Sequence, residues 1–175
     1  NKPLNFGKYT LEKTNFKEVI QNNKKGYINR LPINYLFKYK HLLDLNKFNW
    51  FPESIVLNKP EYKEEFDKYK YWILKSSDAS QGKGIVISEN KDVYSKSKDM
   101  KFPIVVQRYI DKPLLLNNHK FDFRVYVLWI NNKIYLNKYF YIRLATEPYI
   151  DPLDIKSGLT NLSLHGNLDY LIPSE

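Results

Sequence analysis

In the stretch KSSDASQGKG, Lys75 precedes a polar turn and a second lysine, Lys83, stands between Gly82 and Gly84. Those residue types can receive a phosphate. Lysine supplies a mobile point charge, and glycine lets backbone N–H groups come close to anionic oxygens. The standard phosphate patterns do not apply, because GxxxxGK[ST] and GxGxxG spacings are absent and Gly84 leads into strand-like residues rather than a helix. Taken alone, the stretch fits a solvated turn between two strands as well as it fits a phosphate loop.

A second group of charges lies some forty residues on. Along KFDFRVYVLWI the side chains alternate between two faces, as strand periodicity requires. Phe121, Phe123, Val125, Val127 and Trp129 form an apolar face, and Lys120, Asp122 and Arg124 share the other. Asn131-Asn132 suits a two-residue turn, since asparagine tolerates positive φ. Antiparallel pairing about that turn sets Ile130 opposite Lys133, Leu128 opposite Tyr135, Asp122 opposite Tyr141 and Lys120 opposite Arg143. Arg143 then joins the charged face. Like charges directly across a ladder repel, so this register calls for an anion near Lys120 and Arg143. A solvated face, with Asp122 offsetting its neighbours, is the alternative.

The elements that carry these residues are legible in outline. YWILK and GIVIS make a hairpin around the first lysine loop, PIVVQRYI is a buried strand ending in polar groups, and KIYLNKYFYIRLA is the return strand after Asn131-Asn132. KDVYSKSKDM reads as a polar connector or short helix, DKPLLLNNHK as a linker, FPESIVL as a turn into a short strand, and KPEYKEEFDKY as a charged helix or loop. Upstream, Leu36, Tyr39, Leu42 and Leu43 fall near helical spacing and predict a helix starting close to Pro32.

Composition narrows the function classes. The 175 residues are 43% hydrophobic, 16% aromatic and 27% charged, which describes a folded chain with room for a core. There is no cysteine, so disulfide frameworks and zinc thiolates are excluded. No apolar run approaches a membrane span, and the chain is expected to have no membrane partner. A net charge of +9 and a pI near 9.4 attract anionic partners. No RNA- or DNA-binding motif is present, which makes a basic nucleic-acid-binding domain the weaker reading. His41, His119 and His165 are isolated in sequence and are expected to be ordinary surface residues.

In order along the chain, WILKSSDASQGKGIVIS, VVQRYIDKPLLLNNHKFDFRVYVL, YFYIRLATEPY and LTNLS resemble the tubulin tyrosine ligase-like family of ATP-grasp amino-acid ligases. The resemblance covers about residues 29–167 and is most specific from Val105 to Leu128. It implies an α+β ATP-grasp fold, with two lobes of antiparallel sheet enclosing ATP. It implies residues 1–70 as a mixed N-terminal part, 71–110 as the central lobe with the phosphate-covering loop, and 111–175 as the start of the C-terminal lobe. The implied activity is ATP-dependent addition of an amino acid to tubulin (tyrosination, glutamylation or glycylation) through an acylphosphate. The partners are then tubulin or microtubules with their acidic tails and a free amino acid, and the setting is cytoplasmic and cytoskeleton-associated.

The resemblance also assigns roles to individual residues. Lys75 is the lysine for the α-phosphate, while Gln81, Gly82, Lys83 and Gly84 belong to the loop over the phosphates. Gln107, Arg108, Tyr109 and Ile110 form the adenine hinge, where the glutamine side chain contacts the base. Lys120 and Asp122 are nucleotide-binding residues. Arg124 and Arg143 are the catalytic arginines that face the γ-phosphate and incoming carboxylate, and Thr160 and Asn161 lie beside the nucleotide. This chain has Ser76 where proline usually follows the first lysine, and Gly158 where histidine usually precedes LTN. The family's magnesium-binding aspartate and glutamate have no counterpart here, since Asp169 and Glu175 lack that context. The Mg2+ ligands are therefore expected beyond residue 175, in a C-terminal part of the lobe outside this sequence. A catalytically inactive binding module is the alternative that this departure leaves open.

Overall fold

Strand alternation decides the layout of the first sheet in the computed structural model, which describes residues 39–42, 48–80, 82–130, 133–161 and 172–173. β1 (Ser54–Leu57), β2 (Tyr71–Ser76), β3 (Ile85–Glu89) and β4 (Ile104–Arg108) form an antiparallel sheet in the order β1-β4-β2-β3. Its registers set Leu74 between Val86 and Val106, and Ile73 between Ile87 and Gln107. The two faces therefore have different fates. Trp72 and Leu74 of β2, Ile104 and Val106 of β4 and Leu57 of β1 bury against Phe66 and Val93. Phe66 comes from a 3-10 turn, Glu64–Lys68, and Val93 from the short helix α1, Val93–Ser97. Trp72 satisfies its indole by donating Nε1–H to the Phe66 carbonyl at 2.9 Å. Burial of such side chains contributes roughly 1.5–3 kcal/mol each, which makes this cluster the anchor of the sheet.

The opposite face carries Ile73, Lys75 and Gln107 and is only partly apolar. Ile73 and Ile87 pack there with Tyr109 and Leu159. The cover comes from residues 149–160, including the short helix α2, Ile155–Gly158, which is capped by Asp154 accepting from the backbone N–H groups of Lys156 and Ser157.

The expected hairpin around KSSDASQGKG is present, with Ser76 N–H donating to the Gly84 carbonyl at 2.9 Å. Gly84 has φ +62°, and a Cβ there would lie 3.1 Å from both Ser76 and Ala79. Gly84→Ala should therefore lower stability by about 1–2 kcal/mol. The loss would appear as a lower urea midpoint at constant slope, whereas an unchanged midpoint would show that the turn relaxes freely.

The second sheet has the order β10-β9-β6-β5 and joins β5 (Leu115–Leu116), β6 (His119–Arg124), β9 (Tyr141–Leu144) and β10 (Ile172–Pro173). A separate ribbon pairs β7 (Val127–Ile130) with β8 (Lys133–Leu136). With few and short helices among the described residues, the architecture is α+β. The stretch read as a linker in fact contains β5. It turns into β6 through Asn117 and Asn118, at φ 50° and 66°, which is the conformation of a tight two-residue hairpin. The helix expected near Pro32 lies outside the described residues, apart from a 3-10 turn at Lys40–Leu42.

The register of the charged strand differs from expectation by two residues. Near the turn the pairing is as expected, with Ile130 opposite Lys133 and Leu128 opposite Tyr135. Farther out, residues 137–140 of the return strand face only 125–126. Asn137 N–H donates to the Tyr126 carbonyl at 2.9 Å, and its own side-chain oxygen accepts from Tyr139 N–H at 3.1 Å. This Asx-type turn absorbs the extra pair of residues. Asp122 consequently stands opposite Arg143, and Arg124 opposite Tyr141. Because the shift is even, Arg143 stays on the charged face.

Candidate functional site

Lys75 reaches the site from β2. Its ammonium donates to Gln107 Oε1 at 2.7 Å, and Gln107 Nε2 donates in turn to Ser54 Oγ at 2.8 Å. The three residues come from β2, β4 and β1 and share one sheet face by alternation. Both ends of the Gln107 amide are thus committed to protein partners, and its work in this state is to hold Lys75. Burial pushes the Lys75 pKa down to about 8, and the charge of Lys40 pushes in the same direction.

Lys120 comes from β6 in the other sheet. Its Nζ donates to the Tyr109 hydroxyl at 2.9 Å and sits over the Tyr109 ring at 4.2 Å and the Tyr149 ring at 5.8 Å. Burial foremost, and then the Lys75 charge, lower its pKa to about 8, while Asp122 opposes the shift. The two lysines, from different sheets, therefore face one seam. Each donates to a neutral oxygen there, which leaves two desolvated cations poised for an anion.

Asp122 forms the third part. Arg143 Nε donates to its Oδ1 at 2.6 Å, Arg143 Nη2 donates to Oδ2, and Thr160 Oγ1 donates to Oδ2 at 2.7 Å. The fork-like pairing is the strong form of an arginine–carboxylate contact, and it holds the guanidinium firmly charged. In the observed register Asp122, not Lys120, stands opposite Arg143, so the like-charge pair that called for an anion between Lys120 and Arg143 does not form.

Of the residues expected at the site, Lys75 is bonded to Gln107, Lys120 to Tyr109, and Asp122 to Arg143 and Thr160, and the charges of Lys75 and Asp122 both act on Lys120. Asn161 follows Thr160 and is half-buried. Arg124 lies on the same face of β6 but is exposed, with its guanidinium 5.6 Å from the Tyr126 ring. The side chain of Arg108 lies on the other face of β4, 4.6 Å over the Tyr69 ring, and Ile110 is exposed. On the loop, Gly82 is buried and Lys83 and Gly84 are exposed, while Gln81 lies outside the described residues.

Lys40 and His41 were not legible as site residues from the sequence. Lys40 Nζ donates to the carbonyls of Ser76 (3.1 Å), Ser77 (3.4 Å) and Ala79 (2.5 Å). His41 N–H donates to Ser77 Oγ at 3.2 Å, and its Nδ1 meets the same oxygen. Together they grip the start of the β2–β3 loop, and burial lowers the Lys40 pKa. His41 is therefore a structural clamp, not an ordinary surface residue. His119 is engaged as well, because its Nδ1 lies 2.8 Å from the Ala145 carbonyl, which can only accept. His165 lies outside the described residues. These contacts span some 36 and 26 residues of sequence and leave no local pattern to read.

Among the described residues no three histidine, cysteine, aspartate or glutamate side chains converge as a metal site, and no helix is long and apolar enough to cross a membrane.

These features define an α+β protein whose two antiparallel sheets meet at a cationic seam. The tubulin-tyrosine ligase family model matches residues 9–171, and the chain belongs to that family. It is 29% identical to tubulin polyglutamylase TTLL7 of Mus musculus over 152 residues, covering 85% of this chain and 16% of the relative. It is 34% identical to tubulin polyglutamylase TTLL11 of Homo sapiens over 159 residues, 84% of this chain and 22% of the relative. Against tubulin glycylase 3D of Tetrahymena thermophila the identity is 33% over 82 residues, 45% of this chain and 8% of the relative. The chain spans less than a quarter of the length of these relatives.

Proposed function

We propose that the full protein is an ATP-dependent ligase that joins an amino acid, glutamate foremost, to a carboxylate of tubulin. Family membership supports the class, and the polyglutamylase names of relatives support tubulin as acceptor and glutamate as the added residue. The observation that carries ATP is the pair of buried lysines: two ammonium groups on different sheets, each brought to about pKa 8 by desolvation, regain full charge when a polyphosphate enters between them.

In the reaction, the γ-phosphoryl group of ATP passes to the acceptor carboxylate, giving an acylphosphate and ADP. The incoming amine attacks the acyl carbon, loses a proton and expels inorganic phosphate. The residues of this chain contribute placement and charge. Lys75, steered by Gln107, and Lys120, steered by Tyr109, hold the phosphates. Gly82 and Lys83 lie on the loop that covers them, and the backbone around Arg108, Tyr109 and Ile110 receives the base. Arg143, oriented by Asp122 and Thr160, serves a phosphoryl or carboxylate oxygen together with Arg124, while Asn161 lines the same edge. Magnesium would supply further charge neutralisation when bound, but the described residues do not furnish its ligands, since both Asp122 oxygens are engaged by Arg143 and Thr160. The positive chain steers acidic tubulin tails, an effect that weakens as salt rises. A cytoplasmic, microtubule-associated setting follows from that acceptor.

The test is incubation of the full-length protein with Mg·ATP, tubulin and glutamate, glycine or tyrosine in turn, followed by mass analysis of the tubulin tails. A gain in glutamyl steps is expected. No gain with any of the three would overturn the ligase reading, and ATP binding without any gain would identify an inactive nucleotide-binding module.

A further inference from the structure

We propose that Tyr109 is a positioning residue of the phosphate site: its hydroxyl fixes the Lys120 ammonium and ties residues 158–161 to the end of β4. Tyr109 is 5% exposed. Its hydroxyl donates to the Gly158 carbonyl at 2.9 Å and accepts from Lys120 Nζ at 2.9 Å. Those two directions are forced, because a carbonyl only accepts and an ammonium only donates, and the Tyr149 hydroxyl is a further hydrogen-bond partner of the same oxygen. One oxygen thus connects the first sheet, the lysine of the second sheet, and the segment that carries Thr160 to Asp122. Burial raises the Tyr109 pKa far above that of an ordinary phenol, which keeps the proton in this relay.

Gly158 is what makes room for this contact. Its φ lies outside the left-handed region, so backbone conformation does not demand glycine here. Space does: a Cβ would stand 3.0 Å from the Tyr109 hydroxyl, 3.0 Å from Ile87 Cδ1 and 3.2 Å from the Pro152 carbonyl. Any side chain at this place would displace the hydroxyl from where it now stands. The glycine and the tyrosine therefore act as one unit in this chain.

The consequence falls on Lys120. The groups that face it are Lys75 from β2, Asp122 on its own strand, and the Tyr109 and Tyr149 rings, with Asp111 close to both tyrosines. Among these the Tyr109 oxygen is the acceptor in direct contact with the ammonium. Removing that oxygen disfavours the charged form and leaves the ammonium free to turn away from the seam.

The inference rests on the ATP reading above, and its test separates the two. In the full-length protein, Tyr109→Phe should raise the Kd for Mg·ATP about tenfold at pH 7 and also lower the melting temperature, because the Gly158 carbonyl loses its donor. ATP affinity is lost as pH rises through the Lys120 pKa, so the loss in this variant should begin about half to one pH unit lower. Gly158→Ala should act in the same direction, and the double variant should be less than additive, because the phenyl ring leaves the new methyl room. An unchanged affinity and pH profile in Tyr109→Phe, or strict additivity, overturns the positioning role. If the parent protein binds no ATP at all, the functional reading fails instead. The Lys120 titration, followed by NMR with 13C-labelled lysine and no ligand, then still decides the role of Tyr109: a lower pKa in Tyr109→Phe supports it and an unchanged one overturns it.

Discussion

Lys120→Met should raise the Kd for Mg·ATP about a hundredfold and, at pH 7, make the unliganded protein more stable. On the proposed ATP reading, the affinity loss follows from removing a desolvated charge that would meet phosphate, since hydrogen bonds to charged groups contribute roughly 1.5–3 kcal/mol. The stability gain follows from linkage. The Lys120 pKa falls from 10.5 in the unfolded chain to about 8 in the fold, so the charged lysine opposes folding by about 3 kcal/mol below pH 8. Between pH 8 and 10.5 the unfolded state binds more protons, and the stability of the parent protein therefore rises with pH across that window. Methionine removes the Lys120 share of this dependence, leaving that of Lys75, but it also leaves the Tyr109 oxygen without its donor, so the net gain at pH 7 should be nearer 1–2 kcal/mol. Urea melts at pH 7 and pH 9.5 measure both parts. A variant less stable than its parent at pH 7, with ATP affinity intact, would show that Lys120 is a structural cation. Lys75→Met should weaken ATP binding similarly with a smaller gain in stability, because it orphans an amide oxygen, whereas the Tyr109 hydroxyl keeps its bond to Gly158 when Lys120 is removed.

The contrast between these two lysines shows which parts of the site were legible. That Lys75 ends a strand beside a glycine-bearing turn, and that Lys120, Asp122 and Arg124 share a face, follow from period-two alternation, which is a local property of the chain. The pairing of Asp122 with Arg143 was not readable at residue level. It depends on the Asx-type turn at Asn137, which inserts two residues into one strand only, and a symmetric count from Asn131-Asn132 cannot contain it. The same asparagine signal that marked the second turn was present at Asn117-Asn118, where two leucines made too short a run to read as β5. Lys40 shows the other limit, since a contact to the carbonyls of Ser76, Ser77 and Ala79 is made by tertiary folding and carries no period at all.

Arg143→Ala separates charge from placement in the remaining part of the site. The guanidinium is largely shielded and forked onto Asp122, whose second oxygen also takes Thr160. Removal should lower stability by about 1–2 kcal/mol, small against the several kcal/mol of a typical domain, so the fold persists. On the proposed reaction, ligase turnover of the full-length protein should fall about a hundredfold or more, because a preorganised cation would be lost where charge develops. Arg143→Lys should restore little of it, since an ammonium keeps the charge but cannot form the fork. The bond itself is tested by a cycle with Asp122→Ala. Because each single substitution breaks the same contact, the double variant should lose about 1 kcal/mol or more less than the sum of the two. Additive losses would mean that the two strands do not pair in the observed register, and the placement of Arg143 at the seam would fall with them.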